Sequence, residues 1–566
     1  MFDLARKSFA KHGDSFFLEE KRGVLIISKG ILEKRHDDIQ KKRQFLFSQR
    51  QEVLSGLVAQ LQAPESFLLT QSLPNEAILL TEKTTVTLSN IEISVKLFFV
   101  LLEKTKVDVN ENFSITEHIG NEDCIRESGM GRNNPVCLRR NEVVSRLAMK
   151  NIERMPSNSI GCVLREIGLE KTGLINILPK LRNKKDRVDV IKLFASEEEH
   201  VAGILARDQP FCVWRVRDMF LEGYAVGVVT KLSREDSEIK CLDLSASEKE
   251  HVSAILAKDN PFSVVRVNSM FFEDYAVGFI TKLSREGCEI ERFDLSASKK
   301  EHVAAVLGHN RNFCVGRVKW MRIDDYAVGV VTKIRVHEDY EIERFDLSAS
   351  RKEHITEILE QEKPFCVGRV KRMWLLGYAV GVITKMDHED CEVERLWLVA
   401  SEKEHVAGIL KQSQTICVGR VKILDLDDYA VSILPKLGVH KNCVVELLRL
   451  YADEKEHVAA VLEHNRKFCV GRVKNMWLEG YAVSILLKMR VHEDNTIEEF
   501  VLDADKEQLS RILEEGDNSI ELGRIRQFGF DIVPEEIRRK LRYTIVDGEG
   551  REVLEERDNQ RGNILE

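Results

Sequence analysis

Three residue ladders run in phase along the chain, and together they restrict the architecture to a stack of like units. His200, His251, His302, His354, His405 and His457 each stand in a Glu-His-(Val/Ile) step, separated by 51, 51, 52, 51 and 52 residues. Cys212, Cys314, Cys366, Cys417 and Cys469 form a second ladder, with Ser263 filling its gap. Tyr224, Tyr275, Tyr326, Tyr378, Tyr429 and Tyr481, each opening a Tyr-Ala-Val step, form the third. A period of this length marks supersecondary units that bury an apolar face only against their neighbours. The unit recurs over residues 188 to 541, with divergent copies at both ends.

One unit divides into two halves, Glu289 to Phe313 and Cys314 to Tyr340. In the first, Ile290, Phe293 and Leu295 fit a strand. Ser298 and Glu301 stand at capping-box spacing, and Val303, Val306 and Leu307 fall on one helical face. In the second, Val315 and Val318 repeat the first spacing, but the next expected apolar site varies: Asp218, Ser269, Trp320, Arg372, Ile423, Asn475. The β-branched segment Tyr-Ala-Val-Gly-Val-Val-Thr-Lys then fits either a strand behind a two-residue turn or a short buried helix. Both end copies favour the helix. Pro534 to Leu541 opens on proline and closes on basic residues, and Leu164-x-x-Ile167-x-Leu169 precedes LINILPKL.

The frame Ile290-x-x-Phe293-x-Leu295 with Val303 and Val306, and Val315-x-x-Val318 with Val328 and Val331, resembles the leucine-rich repeats of the long alternating type seen in ribonuclease inhibitor. Ser247, Ser298, Ser350 and Ser401 stand where that family has Asn or Cys after the strand. The resemblance implies an α/β fold: a curved solenoid of strand-helix repeats over residues 138 to 545, with a parallel sheet on its concave side. It also implies a binding function.

In that frame the second-half strands present Arg215, Arg266, Arg317, Arg369, Arg420, Arg472 and Arg524, with Arg217, Lys319, Lys371, Lys422 and Lys474 two residues on. First halves carry Asp243, Asp294 and Asp346 with Glu291, Glu343 and Glu394. Basic and acidic strands therefore alternate. They either pair across strands or grip an acidic segment of a partner. Met219, Met270, Met321, Met373 and Met476, with Trp374 and Trp477, are either core or, for the two indoles, an exposed anchor. The histidines are a whole unit apart, too far for one metal, and fit the helix edge. The cysteines read as small buried hydrophobes. No metal or cofactor is expected.

Residues 1 to 137 show no repeat and are expected to form a mostly helical cap. Residues 30 to 62 read as a helix, residues 76 to 103 as strands, and Asn110 to Asn134 as a loop. His118 and Cys124 are the only pair there that suggests a nucleophile, and no phosphate-loop, dinucleotide or zinc-protease motif occurs. Leu73-Pro-Asn-Glu76 resembles the opening of an F-box, which would imply a ubiquitin-ligase adaptor. Residues 546 to 566 read as a polar tail. The sequence shows no signal peptide or membrane-spanning run, and its twelve cysteines carry no CxxC pair, so a cytoplasmic protein with reduced thiols is expected. A net charge of −8 argues against general nucleic-acid binding, though not against a local basic strip. The expectation is a non-enzymatic scaffold for a protein partner. The alternatives are an N-terminal enzyme or adaptor and a nucleic-acid binder along the arginines.

Overall fold

The computed structural model describes residues 8–31, 58–117, 123–128, 134–185, 187–233, 237–257, 266–283, 289–336, 340–387, 392–438, 443–463, 466–492, 494–530 and 533–553. The chain forms two compact units, Met1–Met270 and Phe271–Glu566.

The second unit is the cleaner repeat. Its long strands are Glu289–Ala297, Arg317–Asp325, Glu341–Ala349, Arg369–Gly377, Glu392–Ala400, Arg420–Asp428, Val444–Ala452, Arg472–Gly480 and Glu499–Asp503, hydrogen-bonded in that order. All pair in parallel. Ile290 lies opposite Val318, Phe293 opposite Met321 and Leu295 opposite Ile323. Each of these six side chains is buried. The second-half frame is therefore Val318-x-x-Met321-x-Ile323, three residues later than the sequence suggests. Val315 is apolar for another reason: it follows Phe313–Cys314, a short strand that pairs in parallel with Ile334–Arg335.

First halves continue into an α-helix such as Lys300–Leu307, whose His302, Val303 and Val306 are buried. Second halves continue into a 3₁₀ helix such as Tyr326–Lys333, which buries Ala327 to Val331. The helical reading of Tyr-Ala-Val-Gly-Val-Val-Thr-Lys thus holds. Its β-branched residues weaken the α form, and Thr332 donates to the Gly329 carbonyl three residues back, the spacing of a 3₁₀ turn. At about 2 Å rise per residue this helix runs from the long strand to the short one without a loop.

The turn between second-half strand and helix is set by one residue. Gly223, Gly377 and Gly480 hold φ of 65°, 64° and 63°, and Asp274, Asp325 and Asp428 hold 56°, 54° and 56° at the same place. A Cβ on Gly377 would sit 2.6 Å from the Ala349 carbonyl oxygen on the neighbouring strand. The aspartate copies carry compensating bonds. Asp325 Oδ1 accepts from the Ser350 hydroxyl at 2.7 Å, and Asp274 Oδ1 from the Ser298 hydroxyl at 2.8 Å and its backbone N–H at 3.0 Å. Ser298 is thereby committed to the turn. The helix begins at Lys300 instead, where His302 Nδ1 lies 3.3 Å from the Lys299 backbone nitrogen.

In the first unit, Val136–Arg140, Leu164–Glu170, Arg187–Ala195, Arg215–Gly223 and Glu238–Ala246 pair in parallel with the same frame. Parallel pairing also occurs upstream, among Ser66–Leu69, Thr85–Leu88 and Lys106–Val109. The expectation of a mostly helical cap is corrected here: the described residues before 137 are chiefly strands, including an antiparallel set at Ala10–His12, Ser15–Glu20, Gly23–Ser28 and Ile78–Thr81. Val95–Lys104, expected as strand, is a helix, because the Ser94 hydroxyl caps it by accepting the Leu97 N–H at 3.2 Å. The helix expected over 30 to 62 lies mainly outside the described residues. Asn110 to Asn134, expected as loop, holds strands Ser114–Thr116 and Ile125–Glu127. No described helix is long and apolar enough to cross a membrane.

Replacing Gly377 with Ala is expected to cost about 1–3 kcal/mol, because the new Cβ meets a backbone carbonyl at a φ that L-residues resist. Urea denaturation measures it. A variant as stable as the parent contradicts the account of this turn.

Candidate functional site

The faithful ladders resolve into stacking devices. His251, His354, His405 and His457 have their Nδ1 within 3.2 to 3.4 Å of the backbone nitrogen three residues earlier, the N3 position of a capping box. Their rings pack against the tyrosine of the half before, with centroids 4.4 to 4.8 Å apart for His251, His302, His354, His405 and His457. Burial pushes the imidazoles of His251, His354 and His405 below their ordinary range. No group of potential metal-ligating side chains occurs among the described residues.

The cysteines differ from expectation. Cys212, Cys314 and Cys366 are half-buried, and Cys417 and Cys469 are exposed. In place of filling a core, Cys366 and Cys469 accept the N–H of Gly368 and Gly471 two residues on, at 3.2 and 3.4 Å, bracing a turn. A further ladder, unremarked in the sequence, is Lys231, Lys333, Lys385 and Lys436. Each ammonium donates to a carbonyl 24 residues earlier, just past the preceding α-helix, as in the 2.6 Å bond from Lys385 to Gln361.

The arginine ladder opens the second-half strands, in register with glutamates: Glu289 lies opposite Arg317, Glu341 opposite Arg369, Glu392 opposite Arg420. Arg215 lies 3.5 Å from Glu238 and Arg317 3.2 Å from Glu289. Lys371 reaches Glu341 at 3.4 Å, Lys319 reaches Glu343 at 3.9 Å and Lys422 reaches Glu394 at 3.0 Å. Arg472 faces Asp494 at 4.0 Å. These exposed pairs are each worth about 0–1 kcal/mol and settle register. The side chain of Arg266 lies outside the described residues, as do Ser263 and His118.

The outward face of the second-unit sheet is different in kind. Strand alternation places one row of side chains just before the middle apolar site and another just after it, both away from the helices. The first row reads Arg292, Trp320, Arg344, Arg372, Arg395, Ile423 across six successive strands. The second reads Asp294, Arg322, Asp346, Trp374, Trp397, Asp425. The methionines expected as core are core: Met321, Met373 and Met476 are at most 2% exposed. The tryptophans are not. Trp374 meets Trp397 edge-on at 4.7 Å, with the Arg344 guanidinium 3.6 Å from the Trp374 ring centroid. Trp477 lies on the same row four strands further along, so the structure does not bring it to Trp374.

Charge on this face is mostly matched. Arg344 Nε lies 2.8 Å from Asp346, and Arg395 Nε lies 2.7 Å from the buried Asp425. Trp397 Nε1 donates to Asp427 Oδ2 at 2.8 Å. Desolvation, with Asp425 and Asp428 nearby, pushes the Asp427 carboxyl up to about 6. Arg372 is exposed and has no ion-pair partner among the described residues, and Trp374 Nε1 is buried with no acceptor.

Trp320, Arg344, Arg372, Arg395, Trp397, Asp425 and Asp427 were not singled out by the sequence frame. The signal was present. The position that fails to repeat, from Asp218 to Asn475, is an outward one, released from the stacking that fixes its neighbours.

In the N-terminal region Cys124 is buried and its thiol is pushed up to about 12, which disfavours a thiolate nucleophile. Leu73 to Glu76 lead into strand Ile78–Thr81 with no helix between. No family model, curated protein or solved structure matches the chain.

Two measurements follow. Burial disfavours the charged imidazoles of His251, His354 and His405 in the folded chain, so the unfolded chain binds more protons below about pH 6.5, and stability falls as pH drops through that value. Gln508 occupies the histidine place in the last copy and accepts the Asp505 N–H at 2.8 Å. His405→Gln is therefore expected to match the parent at pH 7.5 and to exceed it at pH 5 in thermal unfolding. Equal losses at both values refute the capping role. Asp427 has the opposite sign: its folded value lies above its unfolded one, so its contribution is lost as pH rises through about 6. Asp427→Asn should stabilise by about 1 kcal/mol at pH 7.5, after allowance for solvent screening, and by nothing near pH 4. A destabilised variant at pH 7.5 overturns this.

Proposed function

We propose that the chain is a non-enzymatic binding scaffold built on leucine-rich-repeat-like units, whose partner is a protein held on the sheet face opposite the helices. The observation that carries this reading is the presence of Trp320, Trp374 and Trp397, spread over two adjacent rows, among arginines on that face. Trp320 is 41% exposed, and Tyr451, two strands beyond Trp397, is 36% exposed. Large aromatic rings beside guanidinium groups are the usual composition of interaction hot spots. The histidine, tyrosine and lysine ladders are consumed in stacking, which leaves the variable outward rows as the part free to specialise. Most arginines of that face already hold a carboxylate, as in Arg292 with Asp294 and Arg449 with Glu479, which disfavours a phosphate backbone as ligand.

A photo-crosslinking amino acid placed at position 320 tests this in cells that express the full chain. The matched control is position 305, exposed on the helix Lys300–Leu307. Adducts with a discrete polypeptide at 320 and none at 305 are expected. Adducts only at 305, or none at either, refute the assignment of the face.

A further inference from the structure

The two outward rows leave one arginine without a carboxylate among the described residues, and this specifies the occupant. Arg344, Arg372 and Arg395 stand directly opposite one another on three adjacent strands. Neighbouring strands lie about 4.8 Å apart, so like charges in such a row repel. Arg344 is matched by Asp346 and Arg395 by Asp425, while Arg372 between them has no carboxylate among the described residues. Trp374 follows Arg372 by two residues on the same strand and face, at a spacing of about 7 Å. Its indole N–H is buried and has no acceptor. An unspent guanidinium thus lies exposed on the strand that carries Trp374 of the Trp374–Trp397 pair.

Resting on the binding reading above, we infer that this spot receives a carboxylate side chain from an acidic, apolar segment of the partner protein. The carboxylate accepts from the Arg372 guanidinium, and an adjacent leucine or phenylalanine of the segment covers the exposed part of the indole pair. A single guanidinium fork fits a carboxylate. A phosphate dianion would meet Asp346 and Asp425, which sit on the same row as Trp374. The segment crosses the strands instead of extending the sheet, because both edges of strand Arg369–Gly377 are already paired. Desolvation by the covering side chain strengthens the new ion pair, which an exposed arginine lacks in the free protein.

The test uses the full chain and a fluorescein-labelled twelve-residue peptide of Asp, Glu, Leu and Phe, followed by anisotropy at low salt. Three comparison peptides carry Asn and Gln for the acids, phosphoserine for the acids, or serine for the apolar residues. The acidic apolar peptide is expected to bind, and each of the other three to bind at least about tenfold more weakly. Arg372→Glu should weaken binding at least about tenfold. Arg372→Lys, which keeps the charge but loses the fork, should weaken it about threefold. Trp374→Phe should weaken it without loss of fold, judged by circular dichroism, and Lys352→Glu on the helix side should leave it unchanged. The inference is overturned by no binding of the acidic apolar peptide, by an Arg372→Glu variant that binds like the parent, or by preference for the phosphoserine peptide. Crosslinking at position 320 that persists when the peptide fails removes the carboxylate assignment and leaves the binding face intact. Failure of both removes the face as well.

Discussion

Parallel register between unlike halves is the constraint on which everything else depends. Ile290, Phe293 and Leu295 stand on Val318, Met321 and Ile323, and the same match recurs at Ile342, Phe345 and Leu347 with Val370, Met373 and Leu375. A slip of one residue would turn each of these buried triads outward. The two halves differ in helix type, in turn chemistry and in loop length, yet they share this rung. That is why a unit of two halves stacks as smoothly as a unit of one.

The polar residues that recur most faithfully hold this register at places where apolar packing cannot. The α-helix of each first half is short, and its ends would leave backbone groups unpaired. Histidine at N3 faces the first of these at the start, as at Glu402 and Glu454, and a lysine from the following 3₁₀ helix reaches the carbonyls just past the end, as at Gln361 and Gln412. The aspartate or glycine at the strand end sets the left-handed turn that brings tyrosine over histidine. These groups link one half to the next, so substitution at any of them disturbs two layers rather than one.

Much of this was legible in the sequence, and the failures have physical reasons. The period, the strand of the first half and the helical character of Tyr-Ala-Val-Gly-Val-Val-Thr-Lys follow from apolar spacing and from the proline in the last copy. The second-half frame was displaced by three residues because Val315 is buried too, but in the short parallel strip beside Arg335, whose carbonyl accepts its N–H at 3.1 Å. Periodicity reports burial and does not say against what. The lysine ladder escaped notice because its partners lie 24 residues back, in another half, whereas a lysine at a helix end reads as solvated. Ile78–Thr81, Thr85–Leu88 and Ile91–Ser94 fall in the segment expected as strand, whereas the strands before residue 31 have no repeat to announce them, and Val95–Lys104 is a helix with a serine cap despite its β-branched and aromatic content.

The displaced frame also decided which residues seemed functional. With Val315 taken as a strand site, Arg317 fell between apolar positions and looked like a lining residue. In the true frame it precedes Val318 at the strand's beginning, where an aligned glutamate awaits it. Most residues that copy faithfully are therefore engaged within the stack, and the outward positions are the ones that vary. Function on such a scaffold has to be sought in the positions where the repeat is broken. Arg372 and Trp374 stand at two of them, in one strand, each with an unspent donor. Two strands from Arg372, desolvation pushes the Asp427 carboxyl up to about 6. A face that raises the cost of its own acids while leaving one arginine unanswered is selective for sign before any shape is considered.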